Sequence, residues 1–125
     1  MKRAIIIIGH GSKRTGAREA MERVVSALKT KHSHTEVLAA FLEIESPTIP
    51  EAIHEVLTRG AEEVLLVPYF VQAGRHVTEH IPALLREAQA KYPKKTIQLT
   101  RHLDFDDRMI EIVEDRIREA GIRKH

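Results

Sequence analysis

The fold of this chain is decided by the stretch Ala4-Ile5-Ile6-Ile7-Ile8. A short, unbroken β-branched run is typical of a strand that is buried on both faces. Val37–Leu42 and Val64–Val67 have the same character, whereas Thr96–Thr100 alternates polar and apolar residues like an edge strand. These runs predict a parallel sheet, because strands buried on both faces belong to parallel sheets that helices cover.

The segments between these strands carry apolar residues at helical spacing, within Ala17–Leu28, Ile49–Leu57, Ile81–Ala88 and Met109–Ile117. The order β-α-β-α-β-α-β-α predicts an α/β fold, a four-stranded parallel sheet with helices on both faces. We expect the last helix to start near Asp104 or Asp106 and to bury an apolar stripe formed by Met109, Ile110, Val113 and Ile117.

Three signals predict where the second and third helices begin. Ser46 or Thr48 is expected to cap the second helix, and Glu51 would complete a capping box. Thr78 is the expected N-cap of the third helix, since Pro82 then falls in the first helical turn, where its missing N–H costs little.

Composition limits the classes of function. A length of 125 residues predicts one domain, residues 1–125. The net charge is only +2, charges of both signs are interleaved and aromatic residues make up 4%, which argues against a nucleic-acid partner. The longest apolar run is too short to span a membrane. The chain has no cysteine, which excludes thiolate metal sites and makes the cytoplasm the expected compartment.

In a sheet of this kind, ligands bind beyond the carboxyl ends of the strands, where the strand order reverses. The first loop at that edge places His10 between Gly9 and Gly11, and glycines on either side let the backbone approach another group closely. The loop lacks the glycine spacing of a dinucleotide fingerprint and the Gly-Lys-Ser/Thr ending of a P-loop. An exposed histidine without function in a tight turn is the plain alternative.

The second loop contains Glu43 and Glu45. Residues two apart on an extended chain point the same way, so the two carboxylates are predicted to lie side by side. Acidic residues also favour helix N-termini, which is an equally good explanation for either one.

The third loop, Pro68–Thr78, holds Tyr69 and Phe70 and then Arg75 and His76. An apolar floor with a few polar groups is typical of a small-molecule pocket, although aromatic residues here can equally close the core. The three loops together bring two imidazoles and a carboxylate to one edge. That set of donors suits Zn²⁺, Co²⁺, Ni²⁺ or Fe²⁺ and leaves coordination positions open, as expected for a metal that is held briefly.

Three motifs carry a resemblance to a known family: Ile-Gly-His-Gly-Ser after the first strand, Phe-Leu-Glu after the second, and Val-Pro-Tyr-Phe-Val-x-x-Gly-x-His-Val-x-x-x-Ile-Pro after the third. In this order and over nearly the whole chain, they resemble the class II chelatases, and most closely the short sirohydrochlorin chelatases of cobalamin synthesis. The resemblance implies a chelatase-like fold and insertion of Co²⁺ into sirohydrochlorin, an acidic tetrapyrrole, with the metal as substrate and no bound organic cofactor. Fe²⁺ and Ni²⁺ chelatases of the siroheme and nickel-cofactor routes are the alternatives.

The resemblance also assigns roles to residues of this chain. His10 matches the histidine that binds metal and accepts a proton, and His76 matches the second metal ligand. Either Glu43, as a catalytic acid–base group, or Glu45 matches the acid that contacts the substrate. The loop expected to line the macrocycle comprises Val71, Gln72, Ala73, Gly74, Arg75 and His76. Longer relatives contain two such modules in one chain, so a homodimer is implied.

One position departs from the family pattern, since His80 stands where the family usually has aspartate before Ile-Pro. If the third helix already includes His76, both imidazoles can reach one metal ion. Otherwise His80 supports the metal-binding histidine from outside the ligand set, which is the role that we expect.

Two other classes of function compete. Histidine phosphatase chemistry needs an arginine just before the histidine, and Gly9 stands there instead. A non-enzymatic module that stores or delivers metal would share His10 and His76 but would not need the apolar loop around Tyr69 and Phe70.

Overall fold

The computed structural model of the chain describes residues 2–11 and 17–121. Over these residues the elements follow the predicted order, with one π-helical turn, His76–His80, added before the third helix. None of the described helices is long and apolar enough to cross a membrane. The elements are β1 (Arg3–Gly9), α1 (Ala17–Lys31), β2 (Glu36–Phe41), α2 (Ile49–Thr58), β3 (Glu63–Pro68), α3 (Ile81–Lys91), β4 (Thr96–Leu99) and α4 (Asp107–Glu119).

The described strands form one parallel sheet in the order β2-β1-β3-β4, which confirms the predicted sheet. β1 is central, and every residue from Ala4 to Gly9 is buried, which explains its unbroken apolar sequence. The chain places β2 on one side of β1 and then returns to place β3 on the other side. The boundary between β1 and β3 is therefore the point where strand order reverses.

Helices cover both faces of the sheet, as predicted. α1 packs on one face, around a cluster formed by Ile5, Ile7, Met21, Val25, Val37 and Phe41. α2 and α3 pack on the opposite face, where the larger cluster includes Ile6, Ile8, Ile53, Val56, Leu66 and Ile81. Alternate residues of β1 thus enter different cores, because successive side chains of a strand point to opposite faces. The two cores hold the carboxyl ends of β1 and β3 in fixed positions.

α2 begins with the predicted capping box, and Thr48 is the residue that caps it. The Thr48 hydroxyl accepts a hydrogen bond from the Glu51 backbone N–H at 3.3 Å, and the Thr48 backbone N–H donates to Glu51 Oε1 at 2.8 Å. These two bonds satisfy backbone donors that the first turn would otherwise leave unpaired. They fix the direction in which the chain leaves the second loop.

The predicted start of the third helix is wrong. Thr78 does not cap α3 but lies inside the π-helical turn, and its hydroxyl donates back to the Gly74 carbonyl at 3.3 Å. The backbone of Arg75 is already helical, and the turn passes into α3 at Ile81 without a side-chain cap. A threonine N-cap and a threonine that bonds to a carbonyl four residues earlier are alternatives for the same side chain. The helical segment consequently includes His76.

The expected burial of α4 is also wrong. Its apolar stripe is exposed, with Ile110 53%, Val113 57% and Ile117 47% accessible, and none of its residues is buried. Helical periodicity shows which side of a helix is apolar but not what covers that side. β4 is short and lies at the edge of the sheet, and α4 does not fold back onto either core.

α4 starts at one of the two predicted positions, with Asp106 as its N-cap. The Asp106 carboxylate accepts hydrogen bonds from the Arg108 backbone N–H at 3.0 Å and from Arg108 Nε at 2.7 Å. The Arg108 guanidinium and backbone hold the pKa of Asp106 well below its usual range. Because the pKa is lowered in the folded state, the ionised Asp106 carboxylate stabilises the fold at pH values above the ordinary carboxyl pKa. This stabilisation is lost as the pH falls towards the lowered pKa.

Candidate metal centre

The backbone pairing of β1 with β2 continues past both strands and places His10 beside Glu43. The Leu42 N–H donates to the Gly9 carbonyl at 3.1 Å, and the Glu43 N–H donates to the His10 carbonyl at 3.2 Å. The two loops therefore leave the sheet in register. The side chains meet at their tips, with His10 Nε2 2.9 Å from Glu43 Oε1, and each side chain is about half exposed, 51% and 52%.

Gly11 makes this arrangement possible. Its φ is +102°, in the region that favours glycine, and an added Cβ would lie 1.8 Å from the Glu43 carbonyl oxygen. No side chain fits at that distance. The prediction that glycine beside His10 serves a close backbone approach is confirmed, and the neighbour that it approaches is the backbone of Glu43.

Glu43 and Glu45 do not lie side by side as predicted. Ile44 between them has a φ of 72°, and the Glu45 N–H donates to the Glu43 carbonyl at 2.8 Å, so the chain turns sharply instead of remaining extended. Glu43 contacts His10, whereas Glu45 pairs with Arg18 of α1 at 2.8 Å and is only 14% exposed. Glu43 is thus the glutamate next to the predicted metal ligand.

The third loop returns to the same edge of the sheet. The Tyr69 N–H donates to the Ile8 carbonyl at 2.9 Å, which extends the pairing of β1 with β3. The loop then passes through exposed residues to the π-helical turn, where the Val77 and Thr78 N–H groups both donate to the Gly74 carbonyl at 3.1 Å. This turn directs the half-buried His76 towards His10, and their ring centroids are 4.9 Å apart.

His10, Glu43 and His76 form a group of potential metal ligands. One ligand atom from each lies within 4.8 Å of those from the other two. Two imidazole nitrogens and one carboxylate oxygen suit Co²⁺, Ni²⁺, Fe²⁺ or Zn²⁺. Three protein ligands leave coordination positions for another molecule, and the exposure of His10 and Glu43 gives that molecule access.

The second and third loops also bear exposed apolar side chains. Ile44 is 62% accessible, Val71 51% and Tyr69 40%, whereas Phe70 packs against the core below them. Apolar side chains on separate loops around a polar centre are typical of a site that binds an organic molecule. Phe70 therefore closes the core, which was the alternative explanation for the two aromatic residues. Tyr69 is exposed and does not close the core.

The comparison with protein families agrees with this site. The model of the CbiX family matches residues 4–120, nearly the whole chain. The chain belongs to the CbiX family. The resemblance drawn from the three motifs is thereby confirmed, because the curated relatives of this CbiX member are named sirohydrochlorin cobaltochelatases and ferrochelatases.

Individual relatives differ in how much of their length corresponds to this CbiX chain. It is 32% identical over 126 residues to the sirohydrochlorin cobaltochelatase of Methanosarcina barkeri, covering 95% of this chain and 97% of that one. It is 31% identical to the chloroplastic sirohydrochlorin ferrochelatase of Arabidopsis thaliana, covering 93% and 52%. Against several such relatives the chain spans only about half of the relative's length.

Among solved structures, the sirohydrochlorin chelatase SirB of Bacillus subtilis subspecies spizizenii, in complex with cobalt, superposes with a TM-score of 0.87. Sequence identity is 26%, and the match covers 95% of this CbiX chain but 51% of SirB. One chain of SirB is therefore about twice as long as the unit that this chain forms.

The remaining predicted site residues take different positions. Val71, Gln72, Ala73 and Gly74 are exposed and lead into the π-helical turn that carries His76. Arg75 is 92% exposed and pairs with Glu79 at 2.9 Å. Lys13 and Arg14, the two cations of the first loop, lie outside the described residues.

Most other histidines of this CbiX chain lie away from the cluster. His32 and His34 are exposed after α1, and His54 bonds to the Tyr92 hydroxyl at 2.9 Å. His80, in contrast, contacts a member of the cluster, since its Nδ1 lies 3.2 Å from His76 Nδ1. The sequence indicated that contact only conditionally, through the spacing of four residues. The pairing of Arg18 with Glu45 was not predicted, and their separation of 27 residues gives no sequence signal for it.

Proposed function

We propose that this chain inserts Co²⁺ into sirohydrochlorin as a sirohydrochlorin cobaltochelatase. The metal ion replaces two pyrrole N–H protons, so one divalent cation enters the ring and two protons leave. The observation that carries the proposal is the group formed by His10, Glu43 and His76 at the carboxyl ends of three neighbouring strands. Its open coordination positions suit a metal that must be passed on.

The contact between His10 and Glu43 suits both parts of this reaction. Cis ligands at about 2.0–2.1 Å from one metal ion lie about 2.9–3.0 Å apart if they subtend a right angle. The observed separation of His10 Nε2 and Glu43 Oε1 is 2.9 Å, so little movement is needed to accept a metal. Once the metal has left, the same two atoms are free to accept a proton from the ring, and histidine and glutamate are both suitable proton acceptors.

The surrounding loops supply a surface for the macrocycle. Ile44, Tyr69 and Val71 offer apolar contact area around the cluster. Holding the ring over the metal converts a slow bimolecular encounter into a positioned reaction. Arg75 is a further candidate to pair with a substrate carboxylate, because its guanidinium is exposed and can bind a carboxylate with two hydrogen bonds.

Cobalt is the proposed metal because the Methanosarcina relative that matches along almost its whole length is named for cobalt. Fe²⁺ and Ni²⁺ use the same donor types, and sites with such donors follow the Irving–Williams order, so supply and geometry decide between metals. The lack of cysteine suits a reducing compartment, and we place the reaction in the cytoplasm.

The test is insertion of Co²⁺ into free-base sirohydrochlorin, followed by the change in the absorption spectrum of the ring. We expect the protein to accelerate insertion, and Glu43→Gln to lower the rate about 100-fold or more, because the amide keeps the shape but does not accept a proton. The matched control is Glu87→Gln on the exposed side of α3.

Two outcomes would contradict the proposal. Tight binding of Co²⁺ without any acceleration of insertion would favour the non-enzymatic metal-binding module. Insertion that is equally fast with Glu43→Gln and with Glu87→Gln would show that the cluster is not the reaction centre.

The exposed stripe of α4 supports a homodimer as the working form. Ile110, Val113 and Ile117 recur at helical spacing and are each about half accessible. The segment that leads into α4 contacts the third loop, because the Leu103 N–H donates to the Phe70 carbonyl at 3.0 Å. SirB is twice as long as this chain, so a second copy would supply the half of the structure that one chain lacks.

We therefore expect light scattering to give twice the monomer mass, and Val113→Glu to yield monomers, since a charge in a buried apolar interface is unfavourable. Ile112→Glu is the matched control, because residue 112 lies off the stripe and is equally open, 44% accessible. A monomeric parent chain with full activity, or equal effects of the two variants, would contradict the dimer.

A further inference from the structure

A second pair of potential metal ligands, His76 and His80, shares His76 with the cluster. The π-helical turn begins at His76, so His76 and His80 lie on one helical face, and their Nδ1 atoms are 3.2 Å apart. The ring centroids are separated by 5.4 Å. The helical segment therefore includes His76, which is the condition under which both imidazoles can reach one metal ion.

The distance between the two nitrogens is the one that a shared metal ion requires. Two nitrogens at about 2.0–2.1 Å from one ion are about 3.2 Å apart when the angle between them is about 100°, close to tetrahedral geometry. Without metal, a proton on one nitrogen bridges the same gap as a hydrogen bond. A metal ion at that angle would lie off the line joining the two nitrogens, so the rings would rotate while the nitrogens keep their separation.

The surroundings of His80 leave this pair open to solvent. His80 is exposed and lines an open cavity of about 440 Å³ together with Arg75, His76 and Glu79. The carboxylate of Glu79 is held by Arg75 at 2.9 Å. His76 is the one residue that belongs both to this outer pair and to the group with His10 and Glu43.

We propose that His80 is a metal-loading ligand. The ion first binds between His80 and His76 and then moves to His10 and Glu43 while His76 remains close to both positions. Stepwise exchange replaces water ligands without releasing the ion. The assignment rests on the proposed function, because a loading site has a purpose only where metal is passed on.

The pair can be tested by metal binding alone, without any tetrapyrrole. In a His10→Ala background, which removes one ligand of the inner group, Co²⁺ binding is measured by its visible absorption and by calorimetry. We expect residual binding that weakens about tenfold or more when His80→Ala is added, the range seen when a group supporting a metal site is lost. Adding His54→Ala instead is the control, since His54 contacts Tyr92 and not the cluster.

Kinetics then separate loading from chemistry. We expect His80→Ala alone to raise the KM for Co²⁺ about tenfold with little change in kcat, since saturating metal compensates for poor loading. His80→Asp, which keeps a ligand at this position, is expected to restore most of the loss.

The proposal is overturned if His80→Ala leaves Co²⁺ affinity in the His10→Ala background unchanged, or if it lowers kcat at saturating Co²⁺ without changing KM. A protein that fails to insert metal but shows the expected loss of binding would refute the proposed function and leave the outer pair intact as a metal site.

Discussion

His10→Ala is expected to lower the rate of Co²⁺ insertion by about 100- to 10,000-fold, the range for loss of a positioned acid or base. The substitution removes a metal ligand and the partner of Glu43 together. Stability should hardly change, because the side chain is half exposed and closes no part of either core. His76→Ala should also lower the rate strongly, since it removes a ligand from the same group.

The measurement is insertion rate together with thermal unfolding of each variant. His34→Ala is the matched control, because it removes another exposed histidine, one that precedes β2 whereas Glu43 follows that strand. If His10→Ala and His76→Ala both insert Co²⁺ at nearly the parent rate, the assigned centre is wrong.

Of the alanine substitutions at the described glycines, Gly11→Ala is expected to lower the unfolding free energy most, by about 3 kcal/mol or more. The new Cβ would lie 1.8 Å from the Glu43 carbonyl oxygen, and a φ of +102° is strained for alanine. The two loops would have to separate, which would also move Glu43 away from His10. We therefore expect a fall in both the unfolding free energy and the insertion rate.

Gly74→Ala provides the matched control for stability. Gly74 lies in the third loop, its φ is not positive and no atom lies within 4 Å of an added Cβ. Its unfolding free energy should stay within about 0.5 kcal/mol of the parent value. Equal unfolding free energies for Gly11→Ala and Gly74→Ala would show that the close approach of Gly11 to Glu43 is not a constraint on the fold.

The patterns that were predicted correctly are those set by local geometry. The unbroken run Ala4–Ile8 predicted a central buried strand, because a strand covered on both faces needs apolar residues at every position. The capping box of Thr48 and Glu51 follows from backbone groups within a single turn. The positions of His10 and His76 at one edge follow from the parallel order of the strands.

The errors arise where a particular backbone turn or hydrogen bond, and not the apolar pattern, decides the outcome. Glu43 and Glu45 diverge because Ile44 turns the chain at the point where Gly11 packs against it. Thr78 joins a π-helical turn because the Gly74 carbonyl accepts its hydroxyl and two backbone N–H groups. Neither arrangement has a periodic signature, so neither is visible in a pattern of apolar and polar residues.

The sequence by itself determined the α/β architecture, the apolar side of each helix and the residues available to bind a metal, because these depend on spacing along the chain. Only the tertiary structure decided that Glu43 contacts His10 while Glu45 pairs with Arg18, and that the stripe of α4 stays exposed. The contact of His80 with His76, at 3.2 Å, lies within one helical turn, and the spacing of four residues predicted it only on the condition that the helix includes His76. The contacts of Glu43 and Glu45 depend on how separate elements meet in space, and spacing within one element does not contain that information.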